Sequence, residues 1–472
     1  MAPNSALLLA YAAILVVAGL LVGRRVRRAG DFFVAGRALP ARLVFATLLA
    51  ANIGAGSTVG AAGLGYRYGL SAWWWSGSAA IGCVVLGLLV APRMHRLASA
   101  HGFYTVGDFL EWRFDRSVRV LVSLILWPAS VTLLAGQLIA MAWAFQAIVG
   151  LPRSSGVILG GLVLLAYFTG GGLLAAAWVN LLQLVTLLLG FTLALPYAWS
   201  AAGGWEGLRS AAGVEAAAAY GGFAGMGVAG ILGLTLVLAP SFVVSPGLVQ
   251  KTFGARTPGA ARAAVLANAA VLALFAFIPA TLGMAMRTLA PDLSNAELAL
   301  PRLTVDVLPP WLGGLALAAL FAAEISTADA VLFMLATSLG RDLYQALLRP
   351  QATDAELLRI GRRGALVGGG LGVALALLLP SVVSALLLFY GVMTAALFVP
   401  LVVGLVSSTP RALHARAAVV LSAFGTALGH AVMGGTTAGR WLPPLLGIVF
   451  ALAAFGTAWW RPGPSGDRLQ KR

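Results

Sequence analysis

The chain has 472 residues, 60% of them hydrophobic and only 10% charged, with a mean hydropathy of +0.94. That composition excludes an ordinary soluble domain and describes a polytopic helical membrane protein, because long apolar runs need lipid as their solvent. The formal charge of +16 reflects topology, not nucleic acid: the basic residues sit in short loops between apolar runs, and no basic stripe interleaves with aromatics.

Apolar runs fall at about 5–23, 40–62, 70–92, 118–150, 155–170, 174–199, 226–250, 263–286, 308–339, 364–380, 381–406, 417–433 and 442–460, giving about 13 candidate transmembrane helices. The first run is followed by Arg24, Arg25, Arg27 and Arg28, not preceded by positive charge, so it reads as an uncleaved helix with its N-terminus outside. With that orientation, 25 of the 31 lysines and arginines lie on the cytoplasmic side and six outside. The asymmetry supports an odd number of spans and a cytoplasmic C-terminus. Residues 354–359 read as a short surface helix on the inner side, and 462–472 as a polar tail.

The second span contains Ala50-Ala51-Asn52-Ile53-Gly54-Ala55-Gly56-Ser57-Thr58. Three glycines, counting Gly60, make it easy to interrupt, and unwound backbone is tolerated at membrane depth only where it lines a cavity. An interruption frees carbonyls such as those of Ala50 and Ile53 to coordinate a cation. A helix face built of small residues for close packing is the alternative reading. The seventh span carries a matching break signal, Ala239-Pro240-Ser241-Phe242 followed by Ser245-Pro246-Gly247. Interruptions at corresponding places in two halves predict a transporter built from inverted repeats.

The ninth span reads Ala322-Ala323-Glu324-Ile325-Ser326-Thr327-Ala328-Asp329. At about 100° per residue, Ala323, Ser326 and Thr327 share a face. Polar groups at bilayer depth are costly and mark functional paths. Two hydroxyls and a carbonyl there suit a small hard cation; back-bonding of the hydroxyls one turn earlier is the structural alternative.

Enzymatic chemistry finds no support. Cys83 is the sole cysteine, His95, His101, His414 and His430 are scattered, and no phosphate-binding GxxxxGK[ST] loop occurs, so the energy comes from a gradient or from none. No cofactor is expected beyond a small cation as a co-transported ligand.

Five ordered segments resemble the sodium/solute symporter family: Asp31–Arg37, Phe103–Phe114, Gly171–Gln183, Pro246–Lys251, and Ser326–Asp329 with Arg341-Asp342-Leu-Tyr344. The resemblance implies an all-α membrane protein with a leucine-transporter-like five-plus-five inverted-repeat core, one extra N-terminal helix and two extra C-terminal helices. The corresponding divisions are 1–38, a first repeat at 39–200, an outer loop at 201–225, a second repeat at 226–407, two C-terminal helices at 408–461, and the tail 462–472. It also implies sodium-coupled uptake of a small organic solute by alternating access, in a bacterial inner membrane. The sodium site carried over residue by residue comprises the carbonyls of Ala50, Ile53 and Ala323 and the hydroxyls of Ser326 and Thr327. The solute is placed beside Asn52, Ser57, Trp74 and Phe242.

Departures from the family pattern also matter. Val179-Asn180 stands where many members have Thr-Asp, a carboxylate linked to a second cation site in some of them. The tryptophans around Trp74 replace an acidic residue found in sugar-transporting members, which counts against a sugar and leans toward a monocarboxylate or amino-acid-like solute. Glu324 is unusual at its position. It is open to neutralising the cation, responding to protons, or pairing with an arginine. Glu324, Asp329 and Asn180 are therefore candidate coupling residues. Proton coupling through Glu324 or Asp329, and a non-transporting sodium-responsive sensor, are the alternatives.

Overall fold

The computed structural model describes residues 34–167, 172–211, 213, 217–433 and 442–460. The first predicted span and the C-terminal tail lie outside them. Among the described residues nine helices are long and apolar enough to cross a membrane, and three shorter apolar helices accompany them. Each predicted run from 40–62 onward falls on helix. No strand longer than an isolated bridge, Leu39 to Ala255, is present among them.

Helix α1 (Ala41–Asn52) stops abruptly, and α2 (Ala61–Tyr68) resumes after the π-turn Gly56–Gly60. Ile53 leaves the helical region with φ −96° and ψ 91°. A helix end strands its last carbonyls, which need other donors when buried. Here Ser57 Oγ donates to the Asn52 carbonyl at 2.8 Å, and Thr58 Oγ1 reaches that of Gly54 at 2.9 Å. Helix α3 (Trp73–Val85) follows, then α4 (Val106–Arg113), the long α5 (Arg116–Val149) and α6 (Gly172–Ala201).

The seventh span is also broken, but not at Pro240. Helix α7 (Gly227–Val244) runs through that proline, and α8 (Pro246–Phe253) begins after Ser245, whose ψ is 117°. Hydroxyls hold the helix together at the proline: Ser241 Oγ and Thr394 Oγ1 both reach the Val237 carbonyl, at 2.7 and 3.0 Å. Ser245 precedes Pro246, and the proline ring disfavours helical backbone in the residue before it.

The second half continues with α9 (Pro258–Phe275), α10 (Pro310–Thr337), α11 (Asp354–Leu378), α12 (Val382–Met393) and, among the later helices, α13 (Ala412–Met433). The expected surface helix at 354–359 is instead the first turns of α11, capped by Thr353, whose side chain accepts from the Glu356 N–H. Helix α10 is the most enclosed: of its segment 316–328 every residue is buried. It packs against α6, α5, α11 and α1. Surrounding a helix with other helices leaves it no lipid-facing stripe, which is why its apolar pattern shows no amphipathic period.

Glu297 ties the segment before α10 to the bundle. It is 5% exposed and accepts from Trp143 Nε1 at 3.0 Å and from the Val382 and Val383 N–H groups at 3.1 and 3.2 Å. A carboxylate at a helix N-terminus satisfies orphan donors there. Glu297→Ala strands all three donors, and is expected to destabilise the fold by roughly 2–4 kcal/mol. Thermal unfolding in detergent checks this; Glu297→Gln, which keeps an acceptor, should lose less.

Candidate functional site

The break between α1 and α2 faces the middle of α10. Ser326 Oγ lies 2.7 Å from the Ala50 carbonyl and 3.0 Å from that of Ala323, while Thr327 Oγ1 lies 3.3 Å from Ala50 O and 3.4 Å from Ala51 O. Four of the five expected sodium ligands therefore converge. Ile53 sits at the end of α1, three residues beyond Ala50, with its N–H on the Leu49 carbonyl; its own carbonyl is not one the two hydroxyls bond. Ser326 also makes the local back-bond to Ala323, so the structural alternative and the shared site coexist in one hydroxyl.

A small cavity adjoins these oxygens, lined by Ala51, Asn52, Gly54, Gly56, Ser57, Trp75, Ala79, Gln137, Leu238, Phe242, Thr327, Leu386 and Tyr390. Its volume of about 10 Å³ is space for about one water molecule. Asn52, Ser57 and Phe242 stand where expected. Trp74 does not: its Nε1 donates to the Phe223 carbonyl at 3.0 Å and its ring meets Trp73 edge-on. Trp75 takes the place in the wall, because adjacent residues on a helix point about 100° apart. The Trp75 and Phe242 rings flank Tyr390, with centroids 6.5 and 5.4 Å from it.

No lining residue is charged. Gln137 holds the break open from α5, its Oε1 accepting the Ala55 N–H at 2.8 Å. Asn52 Nδ2 donates to Asn268 Oδ1 at 3.1 Å, and both amides approach Cys83 Sγ, at 3.8 and 3.3 Å. Gln137, Trp75, Tyr390 and Asn268 were not legible as site residues. An amide inside an apolar run was the available signal for Gln137 and Asn268; the aromatics carried none.

Glu324 is wholly buried, and Thr58 Oγ1 lies 2.9 Å from its Oε1. Its Oε2 has no hydrogen-bond partner, and arginine pairing is not what the described residues show. Asp329, half-buried, interacts electrostatically with Lys251, whose Nζ donates to the Thr47 carbonyl at 2.7 Å. Asn180 is 1% exposed with Oδ1 unpartnered, and Gln183, one turn on, is equally buried and unpartnered at both amide atoms.

A bundle with two broken helices, hard oxygens at one break and a small cavity beside them defines a membrane transporter of the leucine-transporter type. The sequence profile described as "Sodium:solute symporter family" matches residues 32–412, and the chain belongs to that family. It is 31% identical over 186 residues to a "Sodium/glucose cotransporter" of Vibrio parahaemolyticus, covering 38% of this chain and 33% of that protein. To a "Sodium/proline symporter" of Escherichia coli it is 37% identical over 82 residues, 17% of this chain and 16% of that one. These matched stretches span a third or less of the relatives' length. In structure the chain is similar to a sodium-coupled sialic acid symporter solved in a substrate-bound outward-open state, with a TM-score of 0.82 at 19% identity, covering 97% of this chain and 98% of that chain. A nucleobase-cation-symport-1 family transporter in a closed conformation follows at TM-score 0.56 and 13% identity, covering 93% and 96%. These likenesses establish a shared fold.

Proposed function

We propose that the protein is a sodium-coupled symporter that takes up a small organic solute by alternating access. The observation carrying this reading is the meeting of Ala50 O, Ala323 O, Ser326 Oγ and Thr327 Oγ1 at the helix break. Each hydroxyl here donates its proton to a carbonyl. A sodium ion seated among them turns those protons away and draws on the oxygen lone pairs instead, with the Ile53 carbonyl as the remaining ligand. Thr327 belongs both to this cluster and to the cavity wall, and Ala51, whose carbonyl it bonds, lines the same wall, so ion and solute share a boundary. Each then raises the other's affinity by the same factor.

The uncharged wall narrows the solute. A carboxylate would find its counter-charge in the adjacent sodium and in the N-terminal end of the segment resuming at Gly56, as helix starts favour anions. An apolar portion would lie against Trp75, Phe242 and Tyr390. This supports a monocarboxylate or an amino-acid-like compound. The lopsided distribution of arginine supports a cytoplasmic C-terminus in an inner membrane, with repeats spanning 39–200 and 226–407.

A second reading rests on Glu324. A buried carboxylate without a cation in ion-pair reach must be neutralised, either by the neighbouring sodium or by a proton. Thr58 has one hydroxyl proton for two acceptors, Gly54 O and Glu324 Oε1, and a proton on Glu324 resolves that shortage. Proton coupling predicts uptake driven by a pH gradient without sodium, lost in Glu324→Gln.

Melting of the purified protein against sodium, with potassium and choline at equal ionic strength, separates these without knowledge of the solute. Sodium at 100 times its Kd stabilises the folded state by about 2.7 kcal/mol. No sodium-selective shift at concentrations up to several hundred millimolar would overturn the sodium reading and favour the proton.

A further inference from the structure

Two compartments share the α7–α8 segment and α12, and a third adjoins the second. Phe242 of α7 and Leu386 and Tyr390 of α12 line the central cavity. Further along, Pro246 and Gln250 of α8 and Phe389 and Met393 of α12 line a second, inner chamber of about 30 Å³, closed on its far side by Gly107 and Asp342. Beyond those residues opens a third, polar cavity of about 400 Å³, lined by Asp108, Glu111, Arg116, Arg119 and Arg341. The inner chamber is mostly apolar, but Gln250, 2% exposed, is part of its wall and has an amide oxygen with no hydrogen-bond partner among the described residues. Buried polar atoms are normally paired, so this one marks a place where water or a passing solute is received.

The partition between chamber and mouth is an ion-pair cluster. Arg119 lies 3.0 Å from both Asp108 and Asp342 and 2.7 Å from Glu111, and Arg341 lies 3.3 Å from Asp108. Thr105 Oγ1 closes the set, donating to Asp342 Oδ1 at 2.6 Å. Asp108 is also the capping-box acid of α4, its Oδ2 accepting the Tyr104 and Thr105 N–H groups at 2.7 and 3.0 Å. Burial alone would raise the pKa of Asp108; Arg119 and Arg341, with those two N–H groups, outweigh it and hold the acid below its ordinary range, so it is an anion at neutral pH. Asp342 belongs to the π-helical continuation of α10, so the cluster joins the cation-site helix to α4 and α5. Gly107 is required at this junction: a Cβ there would run into Asp342 Oδ1.

We propose that the Arg119–Asp108–Asp342 cluster is the inner gate of this protein, and that the chamber behind it, polar at Gln250, is the solute's way out to the arginine-rich side. The proposal rests on the transport reading above for its solute, but not for its gate. The cluster links helices that carry the cation site to the segment that covers the mouth. Its parting joins chamber and cavity into one water-filled route, and its closure keeps the two apart, as here.

Ser123 of α5 lines the chamber and is 5% exposed, and the native Cys83 is fully buried, so a Ser123→Cys variant reports on the chamber against a quiet background. Inside-out vesicles in saturating sodium would be treated with a membrane-impermeant methanethiosulfonate. Labelling is expected to be slow with Asp342 intact and at least tenfold faster when Asp342→Asn is added, with Asp342→Glu remaining near the slow rate. Gly107→Ala, which presses on the same carboxylate, is expected to accelerate labelling as well and serves if Asp342→Asn does not fold. Unchanged labelling in a variant that still melts cooperatively would overturn the gate. So would an equal rise at Ser422→Cys on α13, also buried but outside the cluster, since that would mean general loosening. Labelling needs no solute and no gradient: a protein that labels as expected yet accumulates nothing would count for the gate and against uptake.

Discussion

Thr327→Ala is expected to weaken sodium binding about tenfold or more, equivalent to at least about 1.4 kcal/mol, while the protein still folds. The side chain is 7% exposed and its hydroxyl is one of only two at the cation cluster. Removing it deletes one ligand oxygen and leaves the Ala51 carbonyl without the donor 3.4 Å away. Losing that long contact costs the sodium-free protein about 1 kcal/mol at most, so the main effect falls on the ion-bound state. The sodium-induced rise in melting temperature should shrink markedly in Thr327→Ala and return in Thr327→Ser. Unaltered sodium affinity would sink the assignment of the site. Ser326→Ala should behave similarly, with a larger cost to the sodium-free fold, because Ser326 makes the shorter bond to Ala50, 2.7 Å against 3.3 Å.

Gly54→Ala should be more damaging still, and to both ligands together. A methyl at this position would overlap Thr327 Oγ1 and lie 2.7 Å from Gln137 Oε1 and Thr327 Cβ. Gln137 is the group that secures the Ala55 N–H, and Thr327 belongs to both the cation cluster and the cavity wall. The substitution therefore pushes on the support of the break, a cation ligand and the solute boundary in one step. Sodium affinity and solute binding should both fall at least tenfold, read by sodium-dependent melting and by solute binding under saturating sodium. Gly370→Ala is the control: its methyl would meet nothing within 4 Å, and its effect should stay within about 0.5 kcal/mol. Normal sodium affinity in Gly54→Ala would show that the break can relax, and the tight coupling of ion and solute boundaries argued here would be wrong.

Much of this site was legible without coordinates because its determinants are local. Glycine spacing at Gly54, Gly56 and Gly60 marks a helix that is easily interrupted, and the interruption falls there. The face shared by Ala323, Ser326 and Thr327 follows from helical periodicity, and Ser326 does bond Ala323 while facing Ala50. Polar side chains within apolar runs stand out for the same reason: lipid offers them no partners.

Other features depended on rotation and on distant partners. Trp74 and Trp75 are indistinguishable as neighbours in the chain, yet only Trp75 lines the cavity, because the packing of α3 sets which side turns inward. Pro240 and Pro246 both read as breakers, but Thr394, 157 residues beyond Val237, helps satisfy the backbone near Pro240, and the break falls at Ser245. Likewise Asp342 and Arg119 are 223 positions apart and acquire meaning only as neighbours in one cluster. The sequence by itself determined the membrane class, the broken helices and the oxygen donors of the proposed cation site, since each is written in spacing along one segment. Only the tertiary structure decided the cavity's aromatic wall, the partner of Glu324 and the inner partition, since each is a contact between segments whose mutual rotation no single segment encodes.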